Sequence, residues 1–286
     1  MERFVRDGGL TLCVEGFGAP ADPALLLIAG NASSMDWWDD ELCARLAAGG
    51  RYVVRYDPRD TGRSTQWPAG APGYTGADLR GDVLRVLDGL GIAAAHLLGV
   101  SSGGALAQQV ALADPARVRT LTLVATSFGG PASVEWDDLP PPTEEVAAHF
   151  AAPQADPDWS DRDAVVAHVV AELSVFAGTL PTDPERLAAV AGRHFDRTPD
   201  MAASWKNHWV ADAGPPVTAP VSSITAPTLV LHGSADPLFP YGHAVALAAE
   251  IPGARLVALP GMGHGMPPPP VWDELVAEVL THTSDG

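Results

Sequence analysis

The stretch Gly99-Val100-Ser101-Ser102-Gly103-Gly104 decides the fold, because it contains the pattern G-x-S-x-G. In this pattern the serine lies on a strained turn between a strand and a helix, and the residues two before and two after it must be small. An apolar run at 96–98 precedes the turn, and a helical pattern at 105–113 follows it. This context predicts a nucleophile elbow with Ser101 at its tip. The alternative is a tight turn whose serine only caps the helix.

Apolar runs and helical patterns alternate on both sides of this turn. Short continuous apolar runs are typical of strands that are buried on both faces of a parallel sheet. Their alternation with helices predicts an α/β fold with a doubly wound sheet. The predicted strands are 24–29, 52–56, 96–99, 121–125, 228–231 and 255–259, and the predicted helices are 38–48, 76–90, 102–113, 241–251 and 271–282.

The segment 128–222 differs from the rest of the chain, because it contains proline clusters and helical patterns but no apolar run bounded by turn residues. The helical patterns lie at 143–151, 163–177, 184–194 and 199–210. We therefore predict that 128–222 is a helical cap inserted into one α/β core, which is formed by 1–127 and 223–286.

Two residues after Ser101 in the chain are candidates for a base and an acid. A serine hydroxyl is a weak nucleophile and needs a neighbouring base. His264 lies in a glycine-rich loop after the last predicted strand, and Asp236 follows the strand at 228–231. The order serine, acid, histidine is one of the known orders of a catalytic triad. We predict that His264 takes the proton of Ser101 and that Asp236 orients His264. Alternatively, His264 is merely exposed and Asp236 caps the next helix.

Two backbone N–H groups are candidates for an oxyanion hole, which stabilises negative charge on a substrate oxygen. The N–H of Ser102 is one, because it opens the helix after the predicted nucleophile. The second is expected from a loop after an earlier strand, where Gly30 allows a close approach and Asn31 supplies the N–H. The alternative is a Gly-Asn turn without a catalytic role.

Further residues are candidates for a substrate pocket, because such pockets are lined mainly by apolar and aromatic side chains. Ordinary packing is the alternative for each of them. The candidates are Gly30, Phe128, Trp136, Trp205, His208, Trp209 and Leu238.

The charged, turn-rich segment at 57–64 follows the second predicted strand. Asp57 comes before Ser101 in the chain, which is the wrong place for the acid of this triad order. We therefore interpret the segment as structural, and predict that Asp60 and Arg63 tie the loop.

The composition excludes several classes of protein. The 286 residues include 35 acidic and 17 basic residues, for a net charge of −18. Nucleic-acid binding and attachment to a membrane surface need clustered Lys and Arg, so neither is expected. Cys13 and Cys43 form neither a disulfide framework nor a zinc cluster, and the N-terminal residues lack the apolar segment of a signal peptide. We expect a cytoplasmic monomer or homodimer that acts on a small molecule and needs no metal or organic cofactor.

Several of these features together resemble the α/β-hydrolase fold superfamily, over roughly 10–127 and 223–282. They are the elbow, Asp236, His264, Ala29-Gly30-Asn31 and the segment 55–64. Within the superfamily, the chain is similar to the serine hydrolase branch that includes aclacinomycin methylesterase, through 21–27, 59–64 and 260–264. The resemblance implies an eight-stranded, mostly parallel sheet flanked by helices, with a helical cap inserted after the sixth strand. It does not imply a particular substrate, because the cap contains no matching motif.

These motifs favour an enzyme that hydrolyses carboxylic esters, such as methyl esters, through an acyl-enzyme. Other activities that use the same triad are alternatives: a proline iminopeptidase, a C–C bond hydrolase or a perhydrolase. A non-catalytic receptor for a small molecule is a further alternative. Epoxide hydrolases and haloalkane dehalogenases need a carboxylate nucleophile, and they are excluded because position 101 is serine.

Overall fold

The apolar runs form the centre of an eight-stranded sheet in the computed structural model, which describes residues 1–152 and 155–284. The strands are β1 (Arg3–Asp7), β2 (Leu10–Phe17), β3 (Ala24–Ile28), β4 (Tyr52–Tyr56), β5 (Ala95–Val100), β6 (Val118–Val124), β7 (Thr228–Gly233) and β8 (Arg255–Leu259). Their order in the sheet is β1-β2-β4-β3-β5-β6-β7-β8. Strands β3 to β8 are parallel to one another, whereas β2 pairs antiparallel with both β1 and β4. The predicted fold class is confirmed.

The six strands predicted from apolar runs are all present, but β1 and β2 are missed by that criterion. In β1 only Val5 is buried, because the strand lies at the edge of the sheet and its other residues face solvent. In β2 the buried residues are confined to the middle of the strand. Neither strand therefore carries a continuous apolar run.

Helices cover both faces of the sheet, as an apolar run buried on both sides requires. Alternate residues of β3 belong to two separate cores: Leu26 and Ile28 pack on one face, and Leu25 and Leu27 on the other. The helices outside the segment between β6 and β7 are α1 (Asp40–Ala48), α2 (Gly76–Gly89), α3 (Ser102–Ala113), α8 (Gly242–Glu250) and α9 (Trp272–His282). Buried residues of α2, α3 and α8 line the first core, and those of α1 and α9 line the second.

The chain between β6 and β7 forms a helical insertion. It contains α4 (Glu144–Ala151), α5 (Arg162–Ser174), α6 (Pro184–Arg197) and α7 (Met201–Val210), and its described residues, 125–152 and 155–227, contain no strand. Val165, Val169, Ala191 and Met201 form a small core of its own. The division of the chain into a core and a cap at residues 128 and 222 stays a prediction. Residues 153–154 of that predicted cap, and 285–286 of the predicted core, lie outside the described residues. No helix in the described ranges is long and apolar enough to cross a membrane.

The loop at 57–64 is held by its acidic residues. The carboxylate of Asp60 accepts hydrogen bonds from the Trp67 N–H at 2.6 Å and from the Tyr74 hydroxyl at 2.6 Å, as predicted for this residue. Arg63 contributes through its backbone N–H, which donates to Asp57. The guanidinium of Arg63 does not tie the loop and pairs instead with Glu2.

Arg197, at the end of α6, joins the helical insertion to the core. Its guanidinium pairs with Asp57 at 2.7 Å and with Asp36 at 2.5 Å. The side chain of Asp57 is fully buried, and this burial raises the pKa of its carboxyl group, whereas Arg197 opposes the rise. The pair is therefore needed to compensate a charge that has no access to water.

Replacement of Arg197 by methionine is expected to lower the free energy of unfolding by about 3–5 kcal/mol, because it leaves a buried carboxylate without its partner. Urea unfolding followed by circular dichroism measures this loss. Arg162→Met is the control, since it breaks the pair with Asp196, in which both side chains are about half exposed. Exposed pairs contribute little to stability. Equal losses in the two variants would contradict the role of Arg197.

Two buried histidines make stability depend on pH. His96 bonds to Thr120, and His194 bonds to the Trp37 indole and to Ser204. Burial lowers the pKa of both histidines from 6.5 to about 4. Between these values the unfolded chain binds protons that the folded chain does not, so stability falls as the pH falls from 6.5 to 4.

We expect a loss on the order of 1–3 kcal/mol for each of these histidines over that interval. Urea unfolding at pH 7, 5.5 and 4.5 measures it. In His194→Asn the amide oxygen can still accept the Trp37 hydrogen bond but cannot be protonated, so the loss should be smaller than in the unmodified protein. The same slope in both proteins would show that His194 does not contribute.

Candidate active site

Ser101 lies on the turn between β5 and α3, with φ +54° and ψ −123°. This left-handed conformation is unfavourable for a residue other than glycine and is stored at sharp functional turns. A Cβ atom on Gly99 would lie 2.3 Å from the carbonyl oxygen of Gly103, and one on Gly103 would lie 2.3 Å from that of Ile28. Both glycines are therefore required, and the turn has the strand-turn-helix geometry that the motif predicts.

The side chains of Ser101, His264 and Asp236 form one chain of hydrogen bonds. The Oγ of Ser101 lies 2.9 Å from Nε2 of His264, and Nδ1 of His264 lies 3.0 Å from Oδ2 of Asp236. A carboxylate can only accept, so Nδ1 carries the proton and Nε2 is free to accept the hydroxyl hydrogen of Ser101. The geometry brings together the three residues predicted for a triad.

Asp236 is held in place by the backbone that follows it. Its Oδ1 accepts the N–H of Leu238 at 2.9 Å and the N–H of Phe239 at 2.8 Å, which leaves Oδ2 facing His264. The side chain of Asp236 is fully buried. The carboxylate thus has one oxygen for the backbone and one for the histidine.

Three residues next to the histidine and the acid have no signal in the sequence. His232 lies with its Nε2 3.4 Å from Oδ2 of Asp236 and donates to the carbonyl oxygen of Phe239 at 2.7 Å. The ring of Phe239 meets the ring of His264 edge to face at 5.2 Å. From the helical insertion, Phe176 accepts the backbone N–H of His264 at 2.9 Å. No motif in the sequence distinguishes these three residues from ordinary residues of the core or the insertion.

The two residues predicted to supply the oxyanion donors lie close together. Asn31 and Ser102 both line a small cavity of about 10 Å³, together with Gly30 and His208. Ser102 is the first residue of α3, where N–H groups have no partner within the helix. The loop after β3 lies close to Ser101, since a Cβ atom on Gly30 would lie 3.4 Å from the Cβ of Ser101, in van der Waals contact.

The candidate pocket residues are placed at different distances from this centre. Gly30 adjoins Ser101, and the Leu238 N–H bonds to Asp236. Trp136 packs edge to face on Phe239 at 6.1 Å and is half exposed.

The remaining candidates have other surroundings. Phe128 packs against the core on one face of the sheet, and Trp205 packs on Trp159 and His168 inside the helical insertion. Trp209 is 63% exposed. Substrate binding by these residues stays a prediction.

The helical insertion contacts three loops of the site, which carry Asp236, His264 and Asn31. The Thr143 N–H donates to the carbonyl of Pro237, next to Asp236, at 2.9 Å. The backbone of Phe176 bonds to His264, and His208 accepts the N–H of Ala32 at 3.0 Å, next to Asn31. The positions of all three loops therefore depend on contacts with the insertion.

A serine on a strained elbow, a histidine and a buried aspartate at the carboxyl ends of a mostly parallel sheet are the arrangement expected of an α/β hydrolase. The chain belongs to this family, because the family model of the alpha/beta hydrolase fold matches residues 23–267. The resemblance predicted from the motifs is confirmed.

Individual relatives narrow the comparison. Rhodomycin D methylesterase DnrP from Streptomyces peucetius is 34% identical, over 98% of this chain and 97% of its own. A putative carbamate hydrolase, RutD from Variovorax paradoxus, is 33% identical over 86% of each chain. The crystal structure of a hydrolase from Pseudomonas aeruginosa PA01 superposes with a TM-score of 0.71 at 27% identity, and covers 99% of this chain and 98% of its own.

Proposed function

We propose that this ester-bond hydrolase cleaves small-molecule carboxylic esters, methyl esters in particular, through an acyl-enzyme formed on Ser101. The observation that carries the proposal is the unbroken chain of hydrogen bonds from Ser101 through His264 to Asp236. The similarity to a methylesterase over nearly the whole of both chains supports a methyl ester as the substrate.

The first half of the reaction transfers the acyl group to the protein. Ser101 Oγ attacks the ester carbonyl carbon while Nε2 of His264 takes its proton, and Asp236 stabilises the imidazolium that results. The N–H groups of Asn31 and Ser102 donate to the oxygen that becomes negatively charged. When the tetrahedral intermediate collapses, the C–O bond to the alcohol breaks and His264 returns the proton to it, so methanol leaves.

The second half releases the acid. A water molecule gives a proton to Nε2 of His264 and attacks the acyl carbon, and the same two N–H groups hold the oxyanion. The bond to Ser101 Oγ then breaks, and the serine takes the proton back from His264. Over both halves, one ester and one water give one carboxylic acid and one methanol, and the protein is regenerated.

A carbamate is the second candidate substrate, because a relative at 33% identity is named a putative carbamate hydrolase. The same serine would attack the carbamate carbonyl, and an amine would leave in place of the alcohol. Carbamate hydrolysis therefore differs from ester hydrolysis in the leaving group that His264 protonates and in the acyl-enzyme, which would be a carbonate of Ser101.

A fluorophosphonate, which reacts with activated serines, tests the proposal directly. Peptide mapping is expected to find the adduct on Ser101. A substrate panel then compares a methyl ester and an ethyl ester of one acid with a carbamate, a lactone and an aminoacyl amide of similar size. We expect the highest kcat/KM for the methyl ester. An adduct on another residue would contradict the mechanism, and preference for another bond would contradict the substrate class.

A further inference from the structure

We propose that His208, on α7 of the helical insertion, is a positioning residue for the oxyanion loop, the turn at 30–33 after β3. It holds this loop in its catalytic conformation. The inference rests on the proposed function, because it assumes that the Asn31 N–H binds the oxyanion. The new element is that the helical insertion sets the direction of the Asn31 N–H in the oxyanion hole through the imidazole of His208.

The peptide unit between Asn31 and Ala32 is held at both ends. Its N–H, on Ala32, donates to Nδ1 of His208 at 3.0 Å, and its carbonyl, on Asn31, accepts the hydroxyl of Ser33 at 3.2 Å. Ala32 has a φ of +56°, which a residue with a side chain adopts only when its surroundings stabilise it. The N–H of Asn31 belongs to the preceding peptide unit, so its direction follows from this anchored turn.

The imidazole of His208 is itself fixed to the core. Its Nε2 lies 2.7 Å from the carbonyl oxygen of Arg59, so Nε2 carries the proton and Nδ1 is the acceptor. Arg59 forms a two-point pair with Asp82 at 2.6 and 2.9 Å, and both side chains are buried. Burial lowers the pKa of His208, which favours the neutral ring that these bonds require.

The neighbouring residue of α7 adds a second anchor. Asn207 is buried, donates to the carboxylate of Asp60 at 2.9 Å and accepts the N–H of Gly70 at 2.7 Å. The helix therefore cannot shift freely against the core. Both ring nitrogens of His208 bond to backbone groups, so we assign it the positioning of Asn31 rather than a polar contact with substrate.

Two substitutions separate the two hydrogen bonds of this ring. In His208→Asn the amide oxygen reaches the place of Nδ1 and can accept from Ala32, but the bond to Arg59 is lost. In His208→Gln the longer amide reaches the place of Nε2 and can donate to Arg59, but the bond to Ala32 is lost. Each variant loses one hydrogen bond, so a merely structural role would affect both alike.

We expect kcat of His208→Gln for an activated p-nitrophenyl ester to fall about 10–100-fold. This is no more than the loss of about 10²–10³ that follows complete removal of an oxyanion donor, because the Asn31 N–H is displaced and not removed. KM should change by less than about threefold. His208→Asn should keep kcat within about threefold of the unmodified protein. The inhibition constant of a trifluoromethyl ketone, which forms a tetrahedral adduct with serine, should rise in parallel with the loss of kcat. The urea midpoints of the two variants should be similar.

The outcomes separate the two proposals. If the unmodified protein is not labelled at Ser101 and does not hydrolyse the ester, the proposed function is wrong and the inference falls with it. If turnover depends on Ser101 but the two His208 variants have equal kcat, only the inference is overturned. If neither His208 variant folds, hydrogen exchange of the Ala32 amide in the unmodified protein tests the bond to His208, and exchange as fast as in an unstructured peptide would overturn the inference.

Discussion

Replacement of Ser101 by alanine is expected to lower kcat for a p-nitrophenyl ester by about 10⁴–10⁶, because it removes the proposed nucleophile of the reaction. Alanine and serine have the same Cβ, so the strained backbone of the elbow should be unaffected. The fold should therefore persist, as circular dichroism and the urea midpoint can show. The measured quantities are kcat and the yield of the fluorophosphonate adduct.

Ser102→Ala is the matched control, since it makes the same change one residue along the chain. It keeps the backbone N–H that we assign to the oxyanion hole, so kcat and labelling should stay within about threefold of the unmodified protein. Full activity in Ser101→Ala, or loss of the adduct in Ser102→Ala alone, would show that the nucleophile is not Ser101.

Replacement of Asp236 by asparagine is expected to lower kcat by about 10⁴ through the wrong histidine tautomer. The Oδ1 position accepts two backbone N–H groups, from Leu238 and Phe239, so the amide oxygen of asparagine must occupy it. The amide NH₂ then faces Nδ1 of His264, which has to accept. The proton moves to Nε2, and the histidine can no longer take a proton from Ser101.

Asp57→Asn is the control for this second result, because Asp57 is also a buried aspartate that follows a strand. It pairs with Arg197 and contacts the loop after β4, so its replacement should lower the urea midpoint without a comparable loss of kcat. A similar loss of kcat in both variants would mean that Asp236 acts through stability alone. Steady-state kinetics at matched amounts of folded protein distinguish the two.

Local patterns in the sequence were sufficient to predict most of the fold. A strand buried on both faces is expected to be apolar, and β3 satisfies this condition at every position. In β5 the one polar side chain is His96, which bonds to Thr120. The elbow is equally local, because a sharp turn from a strand into a helix needs small residues two before and two after the serine. Gly99 and Gly103 meet this need around Ser101. The strands β1 and β2 lack such a pattern, since most residues of β1 are exposed and most residues of β2 are only partly buried.

Contacts between distant segments could not be predicted in this way. The carbonyl of Phe176 that holds His264, and the imidazole of His208 that holds Ala32, are supplied by the helical insertion. No motif marks either residue, because a hydrogen bond to a backbone group leaves no characteristic spacing. The partner of Arg63 is also distant in the sequence. Its charge suggests a tie within the loop, but its guanidinium bonds to Glu2.

The sequence by itself determined which residues are candidates for the triad and in what order they occur, because steric needs at the elbow and apolar strands are local properties. Only the tertiary structure decided that Ser101 and His264, 163 residues apart, lie 2.9 Å from each other. The physical reason is that the carboxyl ends of parallel strands meet at one edge only after the sheet has formed. The same holds for His208, whose proposed role exists only once α7 has packed against the oxyanion loop.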